Sequence, residues 1–182
     1  MKSNYGLIHI YTGDGKGKTS AVVGLAARVL GAGDTVLFAQ LFKHESSELA
    51  SLRKLGATIL QYSHQHPVLK HDYSKKELEQ LAGECEAFVE NAFDLARKDK
   101  YDLLVLDEIG PALSCKFISI DKLASLIKSK PKSTELALTG RGIPPKIISL
   151  VDADYVTQAT DMRMIKHPYV KNKTIARKGV EF

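Results

Sequence analysis

The run Thr12-Gly13-Asp14-Gly15-Lys16-Gly17-Lys18-Thr19 constrains this chain most, because of what stands on either side of it. Before it comes Leu7 to Tyr11 (LIHIY), a short β-rich segment. After it Ala21, Val22, Leu25, Ala26, Val29 and Leu30 recur at the three-and-four spacing of a helix. A strand that enters a helix through a glycine-rich loop is the frame of a phosphate-binding loop. Glycine admits positive φ, so successive N–H groups can converge on phosphate oxygens, and the helix N-terminus adds about half a positive charge. Lys18 would bridge phosphate oxygens as a point charge, and the Thr19 hydroxyl is placed to ligate Mg²⁺. The strict GxxxxGK[ST] pattern is not met, because Thr12 stands in the place of the first glycine and Gly13 lies one step closer. Gly13, Asp14, Gly15, Lys16, Gly17, Lys18 and Thr19 are the predicted nucleotide-binding residues.

The alternation of strand and helix continues. Gly31 and Gly33 stop the first helix ahead of Thr35 to Leu41 (TVLFAQL), a near-continuous apolar strand. Glu48 to Leu55 reads as a short helix ended by Gly56, and Ala57 to Tyr62 as a third strand. Ser74 and Glu77 form a capping-box pattern ahead of Leu78, Leu81, Cys85, Phe88, Ala92 and Leu95, which predicts a helix of about six turns. Asp102 to Asp107 (DLLVLD) has the two-sided apolar character of a mid-sheet parallel strand. Asp121 is expected to cap a helix running to about Ser129, and Glu135 to Thr139 (ELALT) to form a strand. Pro144 and Pro145 suit a helix start, and a final strand is expected near Asp154 to Gln158. Strands that alternate with helices imply an α/β fold, a mainly parallel sheet with helices on both faces. With 182 residues, no internal repeat and no linker, one nucleotide-binding domain over 1–182 is expected.

Two further positions carry charge to the carboxyl edge of such a sheet, where open α/β folds bind ligands. Asp107 and Glu108 end the apolar strand at a Walker-B position and are the predicted Mg²⁺ carboxylates, against the plainer reading of a solvated strand end. Arg141, in Thr139-Gly140-Arg141-Gly142, either reaches a phosphate with its planar fork or sits on a surface turn. His64, His66, His71 and Asp72 fall within nine residues, a pattern read as a polar loop in preference to a metal site. His9 reads as a sheet-face histidine, and Met162 and Met164 as packing residues. Cys85 and Cys115 lack metal or disulfide spacing and read as reduced thiols. No apolar run approaches a membrane span, and no secretory leader is recognisable, so a cytoplasmic location is expected. The formal charge of +5 is scattered apart from a local excess at the C-terminus, and a polyanionic small ligand explains it as well as nucleic acid would; no nucleic-acid partner is expected.

Taken together, GLIHIYTGDGKGKTSAVVGLAARVLGAG, VLFAQLFK, YDLLVLDEI, ELALTGRGIPP and MRMIKHPYVKNKTIARKGVEF resemble, in order and over nearly the whole chain, the ATP:corrinoid adenosyltransferases. The resemblance implies a P-loop NTPase-like, RecA-like fold. It also implies a reaction in which a Co(I) corrinoid attacks the ribose 5′ carbon of ATP and expels triphosphate. It places the triphosphate on Gly13 to Thr19, Mg²⁺ on Thr19 and Glu108, catalytic charge stabilisation on Lys18 and Glu108, and the nucleoside near Arg28, which as a bare feature is a solvated helix charge. A homodimer and an external flavin or flavodoxin-type reductant are implied as well. Relatives usually carry a Phe-x-Trp segment under the corrin ring and an N-terminal extension over the site. Here there is no Trp, the matching stretch is His64 to Tyr73, and about six residues precede the first strand. Tyr62 or Tyr73 is expected to take the aromatic role, and a lid either to come from elsewhere or to be missing. The other functions open to these motifs are a P-loop ATPase or phosphotransferase, in which Asp107 or Glu108 positions water or an acceptor hydroxyl, and a non-catalytic ATP or corrinoid sensor.

Overall fold

The computed structural model of the chain describes residues 6–43, 46–62, 64, 73–151, 155, 157–166 and 179. In chain order the elements are β1 (Ile8–Thr12), α1 (Lys18–Gly31), β2 (Val36–Gln40), α2 (Ser47–Lys54), β3 (Thr58–Gln61), α3 (Lys75–Lys98), β4 (Leu103–Asp107), α4 (Ile109–Ser114), α5 (Ile120–Lys128), β5 (Glu135–Thr139), α6 (Pro145–Val151) and β6 (Thr157–Asp161). The strands form one six-stranded sheet in the order β3-β2-β4-β5-β1-β6, with every neighbouring pair parallel.

Strand alternation sorts the core into two layers. Ile8, Ile10, Leu37, Ala39, Leu104, Leu106, Leu136 and Leu138 face α3, α4, α5 and α6. Val36, Phe38, Leu103, Val105 and Ala137 face α1 and α2. Both faces of β2 and β4 are therefore buried, which is why their sequences read as continuous apolar runs. The expected α/β sheet with helices on both faces is what the chain builds.

Local chemistry accounts for the helix starts. The Ser74 hydroxyl accepts from the Glu77 amide at 3.3 Å, and Glu77 Oε2 accepts from the Ser74 amide at 2.7 Å, so the capping box opens α3 as expected. Its buried stripe is Leu81, Cys85, Val89, Ala92, Phe93 and Ala96, whereas Leu78 stays 38% exposed one turn before the sheet is reached. Two expectations need correction, and one element was not foreseen. The cap of α5 is Ser119, whose hydroxyl accepts from the Lys122 amide at 3.0 Å; Asp121 lies in the first turn, where its charge favours the helix dipole. The last strand spans Thr157–Asp161, three residues beyond its expected start, because its register is set by pairing Thr12 with Asp161. The short helix α4 follows directly on β4, and its six residues, with a glycine and a proline, carry too little periodicity to be read in advance.

Candidate active site

The carboxyl ends of β1, β2, β4 and β5 converge on one patch. Thr12 closes β1, and Gly17, at φ 103°, caps α1 in a left-handed conformation that glycine takes without strain. Between them the loop is braced by the segment that follows β6. The Gly15 amide donates to the Met162 carbonyl at 2.6 Å, the Met162 amide to the Thr12 carbonyl at 2.9 Å, and the Met164 amide to Asp14 Oδ1 at 3.3 Å. A Cβ at Gly15 would stand 2.6 Å from the Met162 carbonyl oxygen, so this glycine is required by close backbone approach. Asp14 and the Gly15 amide thus serve the brace, while Lys16 is exposed beside them.

Lys18 is buried and curls back on the loop, donating to the Gly13 carbonyl at 2.8 Å and the Gly15 carbonyl at 2.5 Å. Burial, aided by the nearby Arg141 charge, pulls its ammonium below the usual lysine value. Thr19, the next residue, donates its hydroxyl to Asp107 Oδ1 at 2.9 Å.

Asp107 has no solvent exposure, and its oxygens are filled by side-chain donors. Oδ1 accepts from Thr19 and from the Thr139 hydroxyl at 2.6 Å; Oδ2 accepts from Gln40 Nε2 at 3.0 Å and Lys43 Nζ at 2.9 Å. Glu108 follows at φ 65°, a left-handed conformation that costs a non-glycine residue about 1 kcal/mol or more. Its amide donates to the Thr139 hydroxyl at 3.0 Å, and its carboxylate lies 3.7 Å from Lys43 Nζ. Burial, and then the Asp107 charge, raise the Glu108 carboxyl above the usual range against the pull of Lys43, Lys18 and Arg141.

Lys43 was not among the residues singled out from the sequence, yet it holds the centre of the patch. Its ammonium donates to Thr19 Oγ1 at 2.7 Å and Asp107 Oδ2 at 2.9 Å, with Glu108 and Glu48 oxygens at 3.7 and 3.8 Å. Burial works against its charge, but Asp107, Glu108 and Glu48 outweigh it and hold the ammonium above the usual lysine value. The available signal was its place just past the carboxyl end of β2, the strand beside β4.

The family is decided by the whole chain rather than by the loop. A family model described as ATP:corrinoid adenosyltransferase BtuR/CobO/CobP matches residues 4–182. The chain belongs to this adenosyltransferase family. A corrinoid adenosyltransferase of Pseudomonas aeruginosa is 30% identical over 181 residues, covering 97% of this chain and 84% of that protein. The corrinoid adenosyltransferase CobA of Salmonella typhimurium is 26% identical over 166 residues, covering 90% of this chain and 80% of that protein. Among solved structures, the flagellar accessory protein FlaH of Methanocaldococcus jannaschii superposes with a TM-score of 0.53 at 12% identity, over 86% of this chain and 71% of that one. That likeness is one of fold, the P-loop NTPase-like α/β sheet.

Other residues expected to serve adenosyl transfer are arranged unevenly. Arg141 is exposed past β5 and acts electrostatically on both Lys18 and Glu108. Arg28 is exposed in the last turn of α1, ten residues and about 15 Å of helix rise from Lys18. Tyr73 is half-buried against the α3 side of the core, near Tyr62, whose ring meets Phe42 edge-on at 5.5 Å. His64 pairs with Glu84 at 2.8 Å and packs on Tyr62, while His66, His71 and Asp72 lie outside the described residues. So do His167 and Pro168 of the KHP motif and all of KGVEF except Gly179. His9 faces Glu135 at 3.2 Å at the other end of the sheet, as a sheet-face histidine. Among the described residues no group of three or more His, Cys, Asp or Glu side chains is gathered to hold a metal alone, and no helix is long and apolar enough to cross a membrane.

Proposed function

We propose that this edge of the sheet holds ATP by its triphosphate and presents the ribose 5′ carbon to a Co(I) corrinoid, the substrate that supplies the nucleophile. The Co–C bond forms as the C5′–O bond breaks, and triphosphate leaves. ATP-dependent adenosyl transfer to a corrinoid is the activity of the family. The residue roles that follow are our reading, with the chain acting as one nucleotide-binding domain over 1–182.

One observation carries it: Thr19 Oγ1, Asp107 Oδ2 and Glu108 Oε1 surround a single cationic point, at 2.7, 2.9 and 3.7 Å, one residue along from Lys18. These are hard oxygen ligands, and too few for a protein-only cage, which fits Mg²⁺ that takes its remaining ligands from phosphates. When bound there, Mg²⁺ supplies charge neutralisation on the leaving triphosphate. Thr19 and Glu108 would hold it directly, with Asp107 orienting Thr19 from behind. Lys18, freed from the loop carbonyls, would follow the charge that gathers on the leaving group, and Arg141 would approach it from solvent. No protein base is required, and Asp107, whose oxygens already receive four donors, is poorly placed to be one. Catalysis then consists of positioning and leaving-group electrostatics, with water kept from the reduced cobalt.

The same reading places Tyr73, and Tyr62 behind it, toward the corrinoid. By family resemblance it gives the protein a homodimeric state, a flavin or flavodoxin-type reductant and a cytoplasmic location. The test is anaerobic incubation with Mg-ATP and chemically reduced corrinoid, following the adenosylated product by its spectrum and triphosphate by assay. Both are expected in equal amounts, and Lys18→Ala is expected to lower the rate by about 100-fold with the fold intact. ADP or AMP in place of triphosphate would instead assign a hydrolase or phosphotransferase.

A further inference from the structure

A lysine ammonium at the point where the cation is expected is a stand-in ion supplied by the chain itself. Its position is built, not incidental. Phe42, just before it, takes φ 56°, a conformation that is rare for an aromatic residue. Its ring is fixed edge-on against Tyr62 at 5.5 Å and beside Phe117 at 6.2 Å. The Lys43 carbonyl accepts from Gln61 Nε2 at 2.8 Å, so main chain and side chain are both anchored. The Thr19 hydroxyl has one proton, which it gives to Asp107, and its lone pair therefore faces Lys43 Nζ, as it would face a metal ion. Beside them Gln40 donates to both Asp107 Oδ2 and Glu48 Oε1, while its own Oε1 is buried without a donor among the described residues. Glu48, 3.8 Å from Nζ, is thus a second acceptor within reach, bridged to the first by Gln40.

We propose that Lys43 is the resident cation of this site: its ammonium counters the charges of Asp107 and Glu108 while no nucleotide is bound, yields its place against Thr19 and beside Glu108 to the divalent ion that arrives with the triphosphate, and shifts toward Glu48. The inference rests on the reading of Thr19, Asp107 and Glu108 as the cation site. The ammonium stands at the very point assigned to the ion, 2.7 Å from Thr19 Oγ1, so the two cannot occupy it together. A bare divalent ion must displace the lysine without help, whereas a nucleotide-borne one brings phosphate ligands with it. Lys43 thereby makes cation binding conditional on nucleotide.

The probe is Mn²⁺, titrated by electron paramagnetic resonance into wild type and Lys43→Met, with and without ATP. Without nucleotide, Lys43→Met is expected to bind Mn²⁺ at least tenfold more tightly than wild type, and its melting temperature in EDTA to be lower and restored by Mn²⁺. With ATP both proteins bind the ion. Equal Mn²⁺ affinity of the two proteins without nucleotide, with binding by both when ATP is present, would overturn the role of Lys43. Failure of both to bind Mn²⁺ even with ATP would instead overturn the cation site beneath it. Should Lys43→Met not fold, wild type answers by ¹⁵N-lysine NMR, with the Nζ signal identified by its loss in Lys43→Arg. The Lys43 ammonium is expected to be protected from exchange without nucleotide and to lose that protection with Mg-ATP, and an unchanged signal refutes the displacement.

Discussion

Asp107 concentrates four side-chain donors on one buried carboxylate, and one of them, Thr139, also holds the residue that follows Asp107. Its hydroxyl gives a 2.6 Å bond to Asp107 Oδ1 and accepts the Glu108 amide, so it fixes the carboxylate and the strained residue after it together. Thr139→Val keeps the shape and removes both, and a stability loss of about 2 kcal/mol is expected in urea unfolding, with a weaker response to Mg-ATP. Asp107 and Glu108 were legible as residues of the candidate site because they end a run of apolar residues at a strand's carboxyl edge. Lys43 was not, because what points it at them is the left-handed turn at Phe42, and an ordinary phenylalanine gives no hint of such a backbone. Likewise Gly15 reads as one glycine among several in a phosphate loop. Only the Met162 carbonyl beside it reveals that packing claims this position.

The elements that position the site meet backbone to backbone. A Cβ at Gly110, in the first turn of α4, would stand 2.2 Å from the Arg141 carbonyl oxygen and 2.7 Å from the Gly140 carbonyl carbon, atoms that cannot rotate away. Gly110→Ala is therefore expected to cost about 3 kcal/mol in denaturant unfolding and to displace Arg141, seen as weaker ATP binding. Gly24 on α1 has nothing within 4 Å of a built Cβ, and Gly24→Ala should stabilise the protein by up to about 1 kcal/mol in the same experiment. The contrast also explains what was legible at this scale. β4 and α3 announce themselves by long periodic or apolar stretches, and the Ser74–Glu77 cap by its two residues. By contrast α4, with Ile109-Gly110-Pro111, is held by contact with the loop after β5, and the bounds of β6 by its partner β1. These are non-local constraints that no window of sequence contains.

Across the whole molecule the two ends of the sheet behave differently. The carboxyl end gathers the charges of the site, whereas the amino end buries one lysine. Lys130 is 4% exposed, donates to the carbonyls of Gly6, Pro131 and Thr134 at 3.3, 3.3 and 2.6 Å, and lies 4.1 Å from the centre of the Tyr155 ring. Burial lowers its ammonium to about 8 from an ordinary value of 10.5. Between these values the unfolded chain holds a proton that the folded chain has released, so stability should rise with pH across that window, by up to about 3 kcal/mol. Urea midpoints at pH 8, 9 and 10 check this, and Lys130→Met should lose that part of the slope. Strand order has a different consequence. Among the described residues β1, the earliest strand, pairs only with β5 and β6, the last two, whose residues 136–139 and 157–161 flank it in register. While the polypeptide is being made, β1 and the glycine-rich loop after it must wait for well over a hundred further residues to leave the ribosome before both neighbouring strands exist. Nucleotide can therefore reward only a nearly finished chain, and any product that terminates before β6 is born without its brace.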